Sequence, residues 1–234
     1  MNILCVIPVR GGSKGIPRKN VRDLGGKPLM AWTVEQAVSA KAGLDVVVST
    51  DDPEMADIAR NYGADVPFMR PAELAEDTTA TEPVVAHAIN FRIAQGRTPD
   101  AVVLLQVTSP LRHPDTLDRA VQQFFDTGVD SLVGVVPTPP FLWRLGDDAA
   151  DTPVTAEYDF ERRPRRQELT PQQIPYRENG SLYVSRPKLY LEHNNRLGGK
   201  IGLFILDELE GVDIDTELDF ALAQQQLAAL GKGL

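Results

Sequence analysis

Ile7-Pro8-Val9-Arg10-Gly11-Gly12-Ser13-Lys14-Gly15-Ile16-Pro17-Arg18-Lys19-Asn20 continues an apolar run that starts at Ile3. Ile3 to Ile7 has the length and composition of a short buried strand. The loop after it carries three glycines and four cations. Glycine lets backbone N–H groups come close to a ligand, because no Cβ intervenes. Successive N–H groups in such a turn form a concave anion site. Arg10, Lys14, Arg18 and Lys19 add charge suited to a polyphosphate, and Pro17 stiffens the return of the loop. The spacing is neither G-x-x-x-x-G-K-[ST] nor G-x-G-x-x-G, which sets aside the P-loop and the dinucleotide fingerprint.

Working outward, strands and helices alternate. Leu29 to Ala40 has helical apolar spacing, Val46 to Val48 reads as a strand, and Pro53 opens a second helix. A polar connection holding Arg70 and Thr81 precedes a helix over Glu82 to Gln95. Ala101 to Leu105 is a strand, Pro114 to Thr127 a helix and Ser131 to Val136 a strand. This alternation predicts an α/β fold with a mostly parallel sheet covered on both faces. The pattern breaks at Pro137, where prolines, acidic turns and the run Arg162-Arg163-Pro164-Arg165-Arg166 begin. Residues 137–180 are therefore expected to form an arm inserted in a single domain spanning 1–234. Strand patterning returns at Ser181 to Val184 and Ile201 to Leu206, and a last helix follows Thr216, whose spacing to Asp219 is that of a capping box.

The polar clusters at Arg10, Ser49, Gln106 and Asp215 lie at or just beyond the C-terminal ends of these strands. In open α/β sheets ligands bind outside those ends, so the clusters are expected to share one pocket. Asp213 and Asp215, two residues apart in an extended segment, offer two hard oxygen ligands suited to Mg²⁺ (or Mn²⁺) bound to phosphates. By spacing alone an equal reading is that Asp215 caps the last helix and Asp213 is solvated.

A net charge of −9 over 234 residues argues against nucleic acid or an anionic membrane surface as partner. The single cysteine, Cys5, lies inside the first apolar run and reads as a core residue. No apolar stretch is long enough to span a membrane and no signal peptide precedes the first strand, so the expectation is a cytoplasmic chain.

As a whole string, the opening loop resembles the IPARGGSKGIPRKN signature of the acylneuraminate cytidylyltransferase family, which activates sialic acids and related nonulosonates; Val9 stands where the family usually has Ala. RPAELAEDTTAT, QVTSPLR (usually QPTSPLR), RRQEL with YRENGSLY, and DIDTELD resemble further family segments in the same order. The resemblance implies a Rossmann-like nucleotide-diphosphosugar transferase fold with a dimerisation arm, and a homodimer. It implies transfer of CMP from CTP to the anomeric hydroxyl of a nonulosonic acid, with release of pyrophosphate. By the same resemblance Arg10, Gly11, Gly12, Ser13, Lys14 and Lys19 would hold the triphosphate, with Arg10, Lys14, Lys19 and Asp215 essential to catalysis. Asn20, Arg70 and Thr81 would surround the cytosine. Gln106, Arg166 and Tyr183 would meet the sugar, and Asp213 with Asp215 would bind the metal. The alternatives are a cytidylyltransferase acting on Kdo or on a polyol phosphate, and a non-catalytic nucleotide-binding protein. The GGSKGIPRKN string counts against the Kdo enzymes, and the paired aspartates count against simple binding.

Overall fold

The computed structural model describes residues 1–12, 15–145 and 154–230. β1 (Ile3–Pro8) is buried on both faces, as its unbroken apolar composition requires of a strand inside a parallel sheet. It pairs in parallel with β4 (Asp45–Ser49) and with β5 (Ala101–Leu105). Between β1 and β4 stand a two-residue hairpin, β2 (Asp23–Leu24) with β3 (Lys27–Pro28), and α1 (Leu29–Ser39). Its turn uses Gly25 and Gly26 at positive φ, which side chains rarely adopt. α2 (Pro53–Asn61) is capped by the Asp52 carboxylate, which accepts from the Glu54 and Met55 N–H groups. α3 (Thr81–Ala94) leads to β5, and α4 (Thr116–Thr127) to β6 (Ser131–Pro137).

The arm follows. Its described part contains a short ribbon, β7 (Trp143–Arg144) against β8 (Thr155–Ala156), and two helical turns at Arg166–Glu168 and Pro171–Gln173. β9 (Tyr176–Ser185) then enters the sheet between β5 and β6, antiparallel to both. α5 (Pro187–His193), β10 (Ile201–Ile205) and α6 (Glu217–Leu230) complete the chain. The sheet order is β10-β6-β9-β5-β1-β4, with β9 the reversed strand. β9 begins five residues earlier than its apolar patterning predicts, because Tyr176–Gly180 pairs with the end of β6 through backbone bonds that side-chain composition does not report.

Alternate residues of each strand point to opposite faces. Cys5 and Ile7 pack with Met30 and Val34 of α1, Met55 of α2 and Phe124 of α4. Leu4 and Val6 pack on the other face with Val85 and Ile89 of α3 and Tyr190 of α5. Each such fully buried large side chain contributes roughly 1.5–3 kcal/mol. A third cluster joins Phe220 and Leu227 of α6 to Ile16 and Leu24, so the last helix is anchored beside the opening loop. Among the described residues, no helix is long and apolar enough to cross a membrane.

Candidate active site

A cavity of about 550 Å³ opens at the C-terminal ends of β1 and β5. Arg10, Gly15, Lys19 and Asn20 line it from the first loop, Arg70 and Thr81 from the connection into α3, Gln106 and Thr108 from the loop after β5, and Asp215 from the segment before α6. Three of the four clusters expected at the strand ends, those at Arg10, Gln106 and Asp215, therefore share this cavity; Ser49 does not line it, being fully buried and bonded to Arg70. Glu76, Asp77 and Thr79 also line it. Nothing in their spacing marks them; only the fold brings that connection over the cavity.

Lys19 is almost buried, its ammonium donating to the Ile214 carbonyl (2.5 Å) and lying 3.5 Å from Asp215 Oδ1. The Ile214 N–H donates to the Thr108 carbonyl (2.8 Å), which ties the Asp213–Asp215 segment to the loop after β5. A Cβ on Gly15 would meet the Asp215 carbonyl oxygen at 2.5 Å, so the opening loop and the aspartate segment touch through glycine alone. Arg10 donates to Asp77 Oδ1 (2.7 Å), and both residues line the cavity.

Arg70 is buried without a carboxylate in contact, donating to Ser49 Oγ (3.2 Å) and to the carbonyls of Ser49 and Val9 (3.3 Å to Val9). Burial pulls its pKa down to about 10. Asn20 donates to the Arg10 carbonyl (3.1 Å). Thr81 is the first residue of α3 and lines the cavity.

Other expected contributors stand elsewhere. Arg18 does not join a phosphate cradle: its guanidinium pairs with Asp52 and Glu54 at the start of α2, because its left-handed backbone (φ 56°) turns it outward. The Gly11 N–H donates to Asp51 Oδ1 (3.1 Å), and Gly12 is exposed. Ser13 and Lys14 lie outside the described residues. Tyr183 does not line the cavity; its ring is buried in the sheet, its hydroxyl bonded to Glu178 and its face under Arg196. Arg166 is exposed on the arm and does not line the cavity either.

The helix-cap reading of Asp215 is settled by hydrogen bonds. Thr216 and Asp219 form the reciprocal box, Thr216 N–H donating to Asp219 Oδ2 (2.8 Å) and Asp219 N–H to Thr216 Oγ1 (3.2 Å). Asp213 has its Oδ1 buried with no hydrogen-bond partner among the described residues. Burial raises its pKa and the Asp215 charge raises it further, opposed by Thr108. An orphaned carboxylate oxygen two residues from an exposed carboxylate fits a hard divalent cation.

Sequence reasoning missed a clasp beneath this segment. Glu210, fully buried, accepts from Thr116 Oγ1 and from the His113 N–H (3.1 Å), and its carbonyl accepts from Asn179 Nδ2 (2.9 Å). His113 Nε2 meets Asp207 Oδ2. The three acidic and imidazole groups bring their donor atoms within 4.8 Å, but each already has a protein partner. The hydrogen bond to Asp207 raises the pKa of His113. For Asp207 burial acts upward, yet the bonds from His113 and the backbone outweigh it and lower its pKa. A raised histidine stabilises below its ordinary pKa and loses that contribution as pH rises through the folded value. A lowered aspartate stabilises above its ordinary pKa and loses it as pH falls. The shared window is about pH 4 to 6.5. The melting-temperature difference between wild type and His113→Gln should therefore be largest inside that window and shrink as pH rises above it; a difference that stays constant as pH rises would contradict the clasp.

Residues 4–193 match the family model described as cytidylyltransferase. The chain is 37% identical over 229 residues to the CMP-N,N′-diacetyllegionaminic acid synthase of Legionella pneumophila, covering 96% of both chains. It is 33% identical to the pseudaminic acid cytidylyltransferase of Campylobacter jejuni, covering 94% of this chain and 95% of that one. The solved structure of a CMP:2-keto-3-deoxy-manno-octonic acid synthetase complexed with CTP superposes with a TM-score of 0.71, covering 98% of this chain and 99% of that one. At 17% identity that likeness speaks for the fold. With a family match over most of its length and a relative aligned almost end to end, the chain belongs to the cytidylyltransferase family.

Proposed function

We propose that this protein transfers CMP from CTP to the anomeric hydroxyl of a nonulosonic acid, giving the CMP-sugar and pyrophosphate. The observation that carries the reading is the single cavity in which Arg10, Lys19, Arg70, Gln106 and Asp215 meet. Similarity to enzymes named for legionaminic and pseudaminic acids supports the acceptor class over Kdo.

Nucleotidyl transfer depends chiefly on positioning and on neutralising oxygen charge. Lys19, fixed by the Ile214 carbonyl, supplies a charge whose direction is set before the nucleotide arrives. Arg10 exchanges Asp77 for the triphosphate. Asn20, Arg70 and Thr81 line the end where the base would lie, and Gln106 faces the acceptor. The acceptor hydroxyl attacks the α-phosphorus, a new P–O bond forms, and the α–β bridge breaks to release pyrophosphate. Asp213 and Asp215 would hold Mg²⁺ (or Mn²⁺), which supplies charge neutralisation at the phosphate oxygens. Lys14 is expected to add a further cation.

The arm fits a second role. Phe141, Trp143, Tyr158 and Phe160 meet in edge-on and tilted contacts at 5.2 to 5.9 Å between ring centres, yet Trp143 and Phe160 remain more than half exposed. A homodimer in which this cluster is covered by the second subunit is part of the proposal.

Nucleotide choice tests the base end of the cavity. CTP should exceed UTP, ATP and GTP by at least about a hundredfold in kcat/KM, since mismatched buried donors and acceptors cost up to a few kcal/mol. Comparable pyrophosphate release from UTP would contradict the assignment of Asn20, Arg70 and Thr81.

A further inference from the structure

β9 carries a buried glycine at positive φ, Gly180 (φ 75°), where pairing with β6 shifts register between Val133 and Val135. A Cβ built on it would overlap Gln106 Oε1 outright and lie 3.0 Å from Gln106 Cδ. Neither segment is free to retreat. Ser109 Oγ donates to the Asn179 carbonyl (3.1 Å), just before the glycine. The Arg112 guanidinium donates to the Gln106 carbonyl (3.2 Å) and to the Ser181 carbonyl (2.5 Å), just after it. Arg112 is itself fixed from α1 by Thr33 Oγ1 (3.2 Å) and Gln36 Oε1 (3.0 Å). It is fully buried and none of these four acceptors is a carboxylate, an expensive arrangement unless its bonds do something specific. Gln106 lines the cavity, and its carboxamide makes no hydrogen bond among the described residues. The carboxamide therefore occupies the space that a side chain at Gly180 would fill, with no hydrogen bond among the described residues to hold it there.

We propose that Gly180 is a positioning residue for the acceptor sugar. The Arg112 and Ser109 bonds press β9 against the loop after β5, and the missing side chain at 180 leaves the Gln106 amide free to address the acceptor. Any side chain there turns the carboxamide aside, weakening the acceptor and sparing CTP. This rests on the reading of Gln106 as an acceptor contact.

The test is a cycle of Gly180→Ala, Gln106→Ala and the double variant, assayed by pyrophosphate release with the acid that wild type uses. Gly180→Ala should raise the acceptor KM at least about tenfold and leave the CTP KM within about twofold. Added to Gln106→Ala, it should cause no further loss, because the shortened side chain no longer occupies the space. An additive loss, or equal effects on both substrates, overturns the proposal and leaves Gly180 serving only the bulge. A second measurement needs no turnover: the Gln106 side-chain amide resonance, identified by its absence in Gln106→Ala, should shift in Gly180→Ala. An unmoved resonance overturns the contact itself. A wild type that releases pyrophosphate with no acid defeats the functional reading instead, and the resonance still decides the contact.

Discussion

Asp215→Ala should lower turnover by at least about a thousandfold, equivalent to roughly 4 kcal/mol of barrier, while the protein stays folded. The side chain is 74% exposed and, among the described residues, its one close cationic contact, to Lys19, stands at 3.5 Å. Lys19 is almost buried, but it keeps its shorter bond to the Ile214 carbonyl when the Asp215 carboxylate is removed, so loss of this longer contact adds little to instability. The cap of α6 survives, because Thr216 and Asp219 provide it. A structural role therefore predicts almost no effect, and a role in holding the cation at the triphosphate predicts near-loss of catalysis. Melting curves and steady-state kinetics on the same preparation separate the two. A variant that keeps most of its activity in the presence of EDTA would refute the metal assignment.

The second large effect concerns the arm. Lys19 is almost buried in its own subunit's cavity, whereas Arg166 is exposed and lines no part of that cavity. The proposed homodimer would let Arg166 reach the acceptor carboxylate from the neighbouring subunit. Arg–carboxylate contacts are bidentate and geometrically demanding, so Lys19→Ala and Arg166→Ala should each nearly abolish activity alone. Mixing the two inactive proteins and allowing subunit exchange should restore one site in each mixed dimer. That site combines the intact Lys19 of one subunit with the intact arm of the other. Native mass spectrometry reports whether mixed dimers form. Mixed dimers without recovered activity would place the arm in service of its own subunit, or of none.

Much of this was legible because buried parallel strands have a distinctive apolar composition. Ala101–Leu105 coincides with its strand from end to end, and Leu29–Ser39 falls one residue short of the helix read from its spacing. The site was legible through strand ends: once Ile3–Pro8 and Ala101–Leu105 lie in parallel, the residues after them meet in the cavity, whereas Ser49 at the end of the neighbouring strand is buried under Arg70 instead. What was not legible depends on backbone direction and on distant partners. The reversal of β9 cannot be read from Ser181-Leu182-Tyr183-Val184, whose composition suits either direction. Arg18 looked like one more phosphate ligand until its left-handed backbone and its bonds to Asp52 and Glu54 removed it. Tyr183 looked available to a sugar from its position in the motif, and the fold buries its ring. Glu210 gave no signal at all, since its partners His113, Thr116 and Asn179 lie far from it in the chain.

The central claim is that this cavity joins CTP to a nonulosonic acid. The most direct measurement is ³¹P NMR of reactions containing CTP, Mg²⁺ and, in parallel, N,N′-diacetyllegionaminic, pseudaminic or N-acetylneuraminic acid. The account predicts, with at least one acid, a new phosphodiester signal growing in equal amount with pyrophosphate. Intact CTP with all three acids, or pyrophosphate accompanied by free CMP alone, would contradict it.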